Sequence, residues 1–331
     1  MNICIFGAGA IGGMIASLLK NSGVDNISII ARGKNFKEIE KNGLHFLSEE
    51  LNLNIKNKFK TYSTTKNIGK FDLIFITVKA HSASLVAAEI GNLVKKDSVV
   101  IPAVNGIPWW YFYKLKGPYE NKKIRCVDPY NKQWDNIGPE KILGCVVYPA
   151  AEIISPGKIL HSKGNRLILG EPDNRKSDRL IMISKMLNIA GFKSPISKDI
   201  RSSVWTKLLG NLSFNPLSVL TGATLKEICE NKETRNIITS IMLEGKIISE
   251  KLGSKISIDI EKRIQGAQKV GNHKTSTLQD YEMGKPIEID ALVKSVSEIG
   301  NIVGLKTPTI DLIYSLVKQK AVISNCYPNI S

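Results

Sequence analysis

The 331-residue sequence predicts an α/β domain followed by an all-α domain. Three observations carry this. A short β run, Asn2–Phe6, opens into glycines spaced as Gly7-x-Gly9-x-x-Gly12 and then into a helix. Two continuous apolar runs, Leu73–Val78 and Val99–Val104, have the pattern of central parallel strands buried on both faces. From about Ser177 onward the apolar period changes from two to about 3.6, the period of helices.

Strand, glycine turn and helix, in that order, are the context that turns a common glycine motif into a dinucleotide site. Gly7 permits the tight turn, Gly9 admits a pyrophosphate to the backbone, and Gly12 lets the helix pack on the strand. The helix N-terminus offers free N–H groups and a partial positive charge to the phosphates. This is the opening of a Rossmann-type domain. The next strand, Asn26–Gly33, carries Arg32 where an NAD-binding protein carries an acidic residue for the ribose 2′-hydroxyl. A cation there pairs with a 2′-phosphate, so the sequence favours NADPH, with Lys34 in reach; the alternative is a solvated arginine at a strand end. Lys79 and Asn105 follow the two central strands, at the carboxyl ends where open α/β sheets bind ligands. Each alone reads as a turn residue; as a pair they are candidates for cofactor or substrate contact.

Residues 44–63 read as a meander of short strands. An aromatic segment with Trp109, Trp110, Tyr111 and Tyr113 follows Asn105-Gly106 and reads as a lid or a packing element. The alternation over 143–172, with turns at Pro156-Gly157 and Lys163-Gly164, suggests antiparallel strands that close the domain. Glu171-Pro172-Asp173-Asn174 then marks a boundary, which gives a dinucleotide-binding domain over 1–173 and a helical domain over 174–331.

The formal charge of +16 raises nucleic acid as a partner. Only eight of the 46 basic residues are arginine, however, and the lysines are scattered instead of clustered with aromatics. Neither nucleic acid nor membrane is expected as a partner, since no apolar run approaches a membrane span. The five cysteines form no CxxC pair and the four histidines are isolated, so no metal site is expected. Reduced thiols and an N-terminus without a basic leader region point to the cytoplasm.

In the second half, helices are expected over 178–190, 202–215, 224–253, 258–271, 288–303 and 308–322. The stretch Ser202–Leu217 is apolar nearly all round except for Lys207, Asn211 and Asn215, which stack at a spacing of four. Such a stripe needs solvent, a neighbouring helix or a ligand as partner. Pro216 is expected to break or kink this helix. Residues 271–292 are polar and partly irregular, with Thr275, Ser276, Asp280 and Glu288 as either caps or site residues.

Taken in order, the glycine motif, Arg32, "TVKA", "VNG", "WTKLLGNLSFNPL", "TSTLQD" and "EID" resemble the ketopantoate reductase family over essentially the whole chain. The Lys-x-x-x-Asn-x-x-x-Asn-Pro element and the later Glu-Ile-Asp are its specific part. They argue against other two-domain dehydrogenases that pair a Rossmann domain with a catalytic lysine. The resemblance implies an NADPH-dependent reductase of 2-dehydropantoate, a 2-oxo acid, serving pantothenate biosynthesis as a monomer or homodimer. It implies cofactor contacts from Gly7, Ala8, Gly9, Ala10, Ile11, Gly12, Arg32, Lys79, Asn105, Ala151 and Glu288. It implies Lys207 as general acid and Asn211, Asn215 and Ser276 as substrate ligands, in a cleft between the domains. An ammonium suits that task because its charge also stabilises the alkoxide as it develops.

Overall fold

The computed structural model describes residues 1–256 and 259–328. The chain divides into two compact units, one of Met1–Val104, Tyr113–Leu115 and Asn131–Ile200, the other of Asn105–Phe112, Lys116–Tyr130 and the chain from Arg201 onward.

The first unit holds strands β1 (Ile3–Phe6), β2 (Ile27–Ile30), β3 (Leu44–Ser48), β4 (Leu53–Asn57), β5 (Lys60–Tyr62), β6 (Phe71–Ile76), β7 (Val94–Pro102), β8 (Gly144–Val147), β9 (Ala150–Ser155), β10 (Lys158–Lys163) and β11 (Leu167–Gly170). Its helices are α1 (Ala10–Asn21), α2 (Gly33–Asn42), α3 (Ala80–Ala83), α4 (Ala87–Gly91), α5 (Lys132–Ile137) and α6 (Asp178–Ile189). A five-stranded parallel sheet runs in the order β5-β2-β1-β6-β7. Its central strands are apolar on both faces, and Ile3 pairs in register with Ile27 on one side and Leu73 on the other. A second sheet, β4-β3-β10-β9, and the pair β11-β8 complete the unit.

Two adjacent glycines let α1 approach both sheets. A Cβ on Gly12 would stand 2.1 Å from the Gly7 carbonyl oxygen and 2.3 Å from Thr77 Oγ1. One on Gly13 would stand 2.0 Å from Ile159 Cδ1 on β10. The expected meander over 44–63 divides. β3 and β4 form an antiparallel hairpin, whereas β5 leaves it to extend the parallel sheet beside β2. The first unit also extends past residue 173 to Ile200. Leu180, Ile183 and Leu187 of α6 share its core with Leu167 and Leu169 of β11, and Leu167 and Leu169 donate to the carbonyls of Lys193 and Pro195. Glu171, fully buried, accepts from Arg179 Nε and Nη2, which ties α6 to the end of β11.

The second unit carries α7 (Ile200–Thr221), α8 (Leu225–Glu230), α9 (Lys232–Lys251), α10 (Ile260–Lys269), α11 (Ser276–Glu282), a π-helical turn (Asp290–Lys294), α12 (Ser295–Val303) and α13 (Pro308–Ile323). Three expectations are corrected. Pro216 does not end α7, which continues to Thr221. Local hydroxyls satisfy carbonyls around it, with Ser218 donating to Asn215 O at 2.8 Å and Thr221 to Leu217 O at 2.8 Å, while Leu217 and Val219 stay buried. The helix expected over 224–253 is two, because the Asn231 side chain caps α9 by accepting from Thr234 N. The helix expected to start at residue 258, which lies outside the described residues, is seen from Ile260. The segment expected to be polar and partly irregular contains one short helix, α11, capped by Thr275.

Gly12→Ala is expected to lower the stability of the first unit by at least about 3 kcal/mol, since the added methyl meets backbone and not a flexible tip. Urea unfolding of both variants measures this, with loss of dinucleotide binding at temperatures where the variant remains folded.

Candidate active site

The glycine loop of the first unit is held in a fixed shape. Gly7 sits at φ +108°, and a Cβ there would approach Val78 Cγ1 to 2.8 Å. Thr77 Oγ1 donates to Gly7 O at 2.5 Å, and Asn35 Nδ2 donates to Ala8 O at 2.6 Å. Asn35 Oδ1 in turn accepts from Gly157 N, so the loop is pinned from β6 and from the β9–β10 turn. Gly9 differs from its neighbours. Its backbone is extended, and a Cβ would meet nothing closer than Thr77 O at 3.6 Å, an ordinary contact. The protein itself would tolerate a side chain there, so its own packing does not require the glycine. Gly9 also precedes α1 without a side-chain cap, and Ala10 and Ile11 form the first turn. Uncapped amides, a helix dipole and an open Cβ position together fit a pyrophosphate.

Arg32 stands past the end of β2, directly in front of α2, in an ion pair with Glu89. Lys79, exposed, stands directly in front of α3 beyond β6. Ala151 lies on β9 in register with His161.

The second unit holds the remaining candidates. Lys207 Nζ donates to Asn105 Oδ1 at 2.7 Å. Both partners are held from behind. Ile107 N donates to Ala291 O at 2.9 Å in the π-helical turn, and Ser295 Oγ donates to the same oxygen at 2.7 Å. Gly106 adopts φ +87°, and a Cβ there would stand 2.2 Å from Ala291 O. Asp290, at the start of the turn, accepts from Tyr314 and Tyr327 hydroxyls at 2.8 Å each. Burial, reinforced by the Asp290 carboxylate, pushes both phenols up, Tyr327 to about 12, so both remain donors at neutral pH. Glu288, buried, precedes this turn, and its carbonyl accepts from Leu292 N.

The aromatic segment proves to be packing, not a lid. Trp109, Trp110, Tyr111 and Phe112 are buried in the second unit. Arg201 Nε donates to Tyr111 O and Trp205 Nε1 to Tyr111 Oη, each at 2.7 Å. The part of α7 that leads to Lys207 is thereby fixed. Farther along the helix, Asn215 Nδ2 donates to Thr277 Oγ1 at 3.0 Å, and Ser218 shares a hydrogen bond with Thr275 Oγ1. These contacts seat the start of α11 on α7 and leave Ser276, between the two threonines, exposed. Among the described residues, neither the Asn211 nor the Ser276 side chain has a hydrogen-bond partner. The stripe therefore has two tied members, Lys207 and Asn215, and one untied amide between them.

Among the described residues no cluster of His, Cys, Asp and Glu could hold a metal, and no helix is long and apolar enough to cross a membrane. The five cysteines are free thiols.

Two family models match this arrangement, "Ketopantoate reductase PanE/ApbA" over residues 3–174 and "Ketopantoate reductase PanE/ApbA C terminal" over 199–321. The chain belongs to the ketopantoate reductase family. It is 43% identical to a 2-dehydropantoate 2-reductase of Mesorhizobium japonicum, over 99% of this chain and 100% of that one. A Ralstonia solanacearum MolK2 crystal structure assigned to ketopantoate reductase aligns with TM-score 0.94 at 36% identity, covering 98% of this chain and 99% of the other. The 2-dehydropantoate 2-reductase of Geobacter metallireducens GS-15 aligns with TM-score 0.84 at 25% identity, covering 97% and 100%. The family's α/β domain with a parallel sheet and its helical C-terminal domain are both present here.

Sequence reasoning missed Asn35 and Arg201, which lie outside every motif, and the supporting roles of Thr77 and Thr277, which lie within "TVKA" and "TSTLQD". The glycine in Asn105-Gly106 was legible as a turn, but the carbonyl that it makes room for was not. Gly106→Ala is expected to destabilise the second unit by about 3 kcal/mol, from left-handed backbone strain together with the clash at Ala291 O. Hydrogen exchange checks the cause, with the Ile107 amide losing protection in the variant.

Proposed function

We propose that the protein reduces 2-dehydropantoate to pantoate with NADPH, in pantothenate and coenzyme A biosynthesis. The observation that carries this reading is the Lys207 ammonium hydrogen-bonded to Asn105 on a helix whose next polar residue, Asn211, has no partner among the described residues.

Each residue has a task. The backbone of Gly7 to Gly12, with Ala8, Ala10 and Ile11, holds the pyrophosphate, and Arg32 receives the 2′-phosphate. Lys79, Asn105, Ala151 and Glu288 complete the cofactor contacts, with Glu288 beside the ribose and the lysine. Bound NADPH supplies the hydride for the carbonyl carbon. Lys207 points its charge at the carbonyl oxygen, stabilises the negative charge that develops there, and gives up a proton to form the hydroxyl. Asn105 limits the amine's rotation by accepting one of its hydrogens. Asn211, Asn215 and Ser276 hold the substrate's carboxylate and hydroxyl, which fixes the carbonyl in one orientation. Asn215 enters with its Nδ2 already committed to Thr277, so its Oδ1 is the atom offered to a substrate hydroxyl. On this reading the first unit is the NADP-binding domain and the second the substrate and catalytic domain. The partner is a small 2-oxo acid only, and the enzyme works in the cytoplasm as a monomer or homodimer.

The test is loss of reduced-nicotinamide absorbance with NADPH and 2-dehydropantoate, beside a panel of other 2-oxo acids. Fastest turnover with 2-dehydropantoate supports the assignment, and tight NADPH binding without that turnover discards the substrate. Lys207→Ala is expected to lower kcat by roughly 100-fold or more while the NADPH dissociation constant changes little. Asn211→Ala is expected to raise KM for the oxo acid by about tenfold or more, with a smaller change in kcat.

A further inference from the structure

Arg32 is not waiting alone for a phosphate. Its Nη2 lies 2.7 Å from Glu89 Oε1. Glu89 belongs to α4, whose inward residues are Ala87 and Ile90, and this leaves the glutamate on the outer side of that short helix. The side chains are 60% and 39% exposed, so the ion pair is solvated and readily opened. A carboxylate thus occupies the guanidinium that the proposed reading gives to the 2′-phosphate.

Two anions compete there, and their charges decide the outcome. A phosphate monoester carries about −1.5 to −2 at pH 7. It also meets a guanidinium bidentately, whereas Glu89 engages it through one oxygen at this distance. The phosphate therefore displaces Glu89, but its net affinity is lowered in two ways. The Arg32–Glu89 pair must open, and the released carboxylate remains close to the phosphate. A cofactor with a bare 2′-hydroxyl makes no claim on Arg32, so the Arg32–Glu89 pair need not open for it.

We infer that Glu89 is a cofactor-specificity residue, which narrows the preference for NADPH over NADH by competing with the 2′-phosphate for Arg32. The inference rests on the proposal that Arg32 receives the 2′-phosphate, and the two can fail separately.

The experiment uses the full chain as wild type, Glu89→Gln, Arg32→Ala and the double variant. It reads kcat/KM for NADPH and for NADH, together with dissociation constants for 2′,5′-ADP and 5′-AMP by calorimetry. Glu89→Gln is expected to raise the NADPH-to-NADH ratio by roughly threefold to tenfold, chiefly through KM for NADPH. It is expected to tighten 2′,5′-ADP and leave 5′-AMP unchanged, with the gain shrinking as salt is raised. In the Arg32→Ala background the effect of Glu89→Gln should be much smaller. If Arg32→Ala loses NADPH preference but Glu89→Gln leaves the ratio unchanged or lowers it, the inference about Glu89 is overturned and the role of Arg32 stands. If Arg32→Ala leaves 2′,5′-ADP affinity unchanged, the reading of Arg32 fails and the inference falls with it. The calorimetric arms report on both whatever the oxo acid substrate proves to be.

Discussion

An amine on a mostly buried helix face must have a partner, and in this protein Asn105 is one. Leaving a Lys207 ammonium without one would cost several kcal/mol or force it to neutralise. The hydrogen bond to Asn105 therefore does two things. It keeps the charged form tolerable within α7, and it sets the direction of a group whose four-carbon stem would otherwise sample many rotamers. The surrounding structure can be understood as what is needed to hold those two side chains 2.7 Å apart.

The support is backbone geometry on one side and aromatic packing on the other. Asn105 lies in a turn that no helix or strand stabilises. It is held because Gly106 can approach Ala291 O and Ile107 N can donate to it. The π-helical turn makes this possible, since a wider turn displaces carbonyls from the regular i→i+4 ladder and lets them accept elsewhere. Two tyrosines then hold the first residue of that turn through Asp290. On the lysine side, Arg201 and Trp205 both reach Tyr111, so the aromatic segment sets the position of the helix from which Lys207 projects. Neither support touches the amine itself.

The sequence was most legible where a periodicity or a spacing has a single physical meaning. The parallel strands, the glycine turn, the helical second half and the polar stripe of α7 were of this kind. It was least legible where tertiary contacts override local signals. Pro216 is a helix breaker by propensity, but α7 continues past it with Leu217 and Val219 buried. Residues 60–62 resemble the end of a meander because strand composition says nothing about which sheet edge is open. The aromatic segment was ambiguous for a different reason, because Trp and Tyr suit a lid and a core equally well. The candidate site residues were found through motif resemblance and spacing, whereas the residues that hold them were invisible. Asn35, Thr77 and Thr277 are ordinary polar residues until the fold brings each to a backbone carbonyl or an amide.

The division of the stripe into tied and untied members has a consequence for how the site would work. Lys207 and Asn215 make hydrogen bonds to protein groups, so their orientation is settled before any ligand arrives and little reorganisation is needed when charge develops. Asn211 and Ser276 have no such bonds among the described residues, so they can be satisfied by a ligand without breaking anything in the protein. A site with every polar group tied internally would bind weakly, because each contact to substrate would cost one to protein. A site with every group untied would bind but orient poorly. Along α7, Lys207 and Asn215 are tied within the protein and Asn211 is not, an arrangement that lies between these limits. On the proposed reading of Arg32, Glu89 extends the same logic to the first unit as an internal partner for the guanidinium.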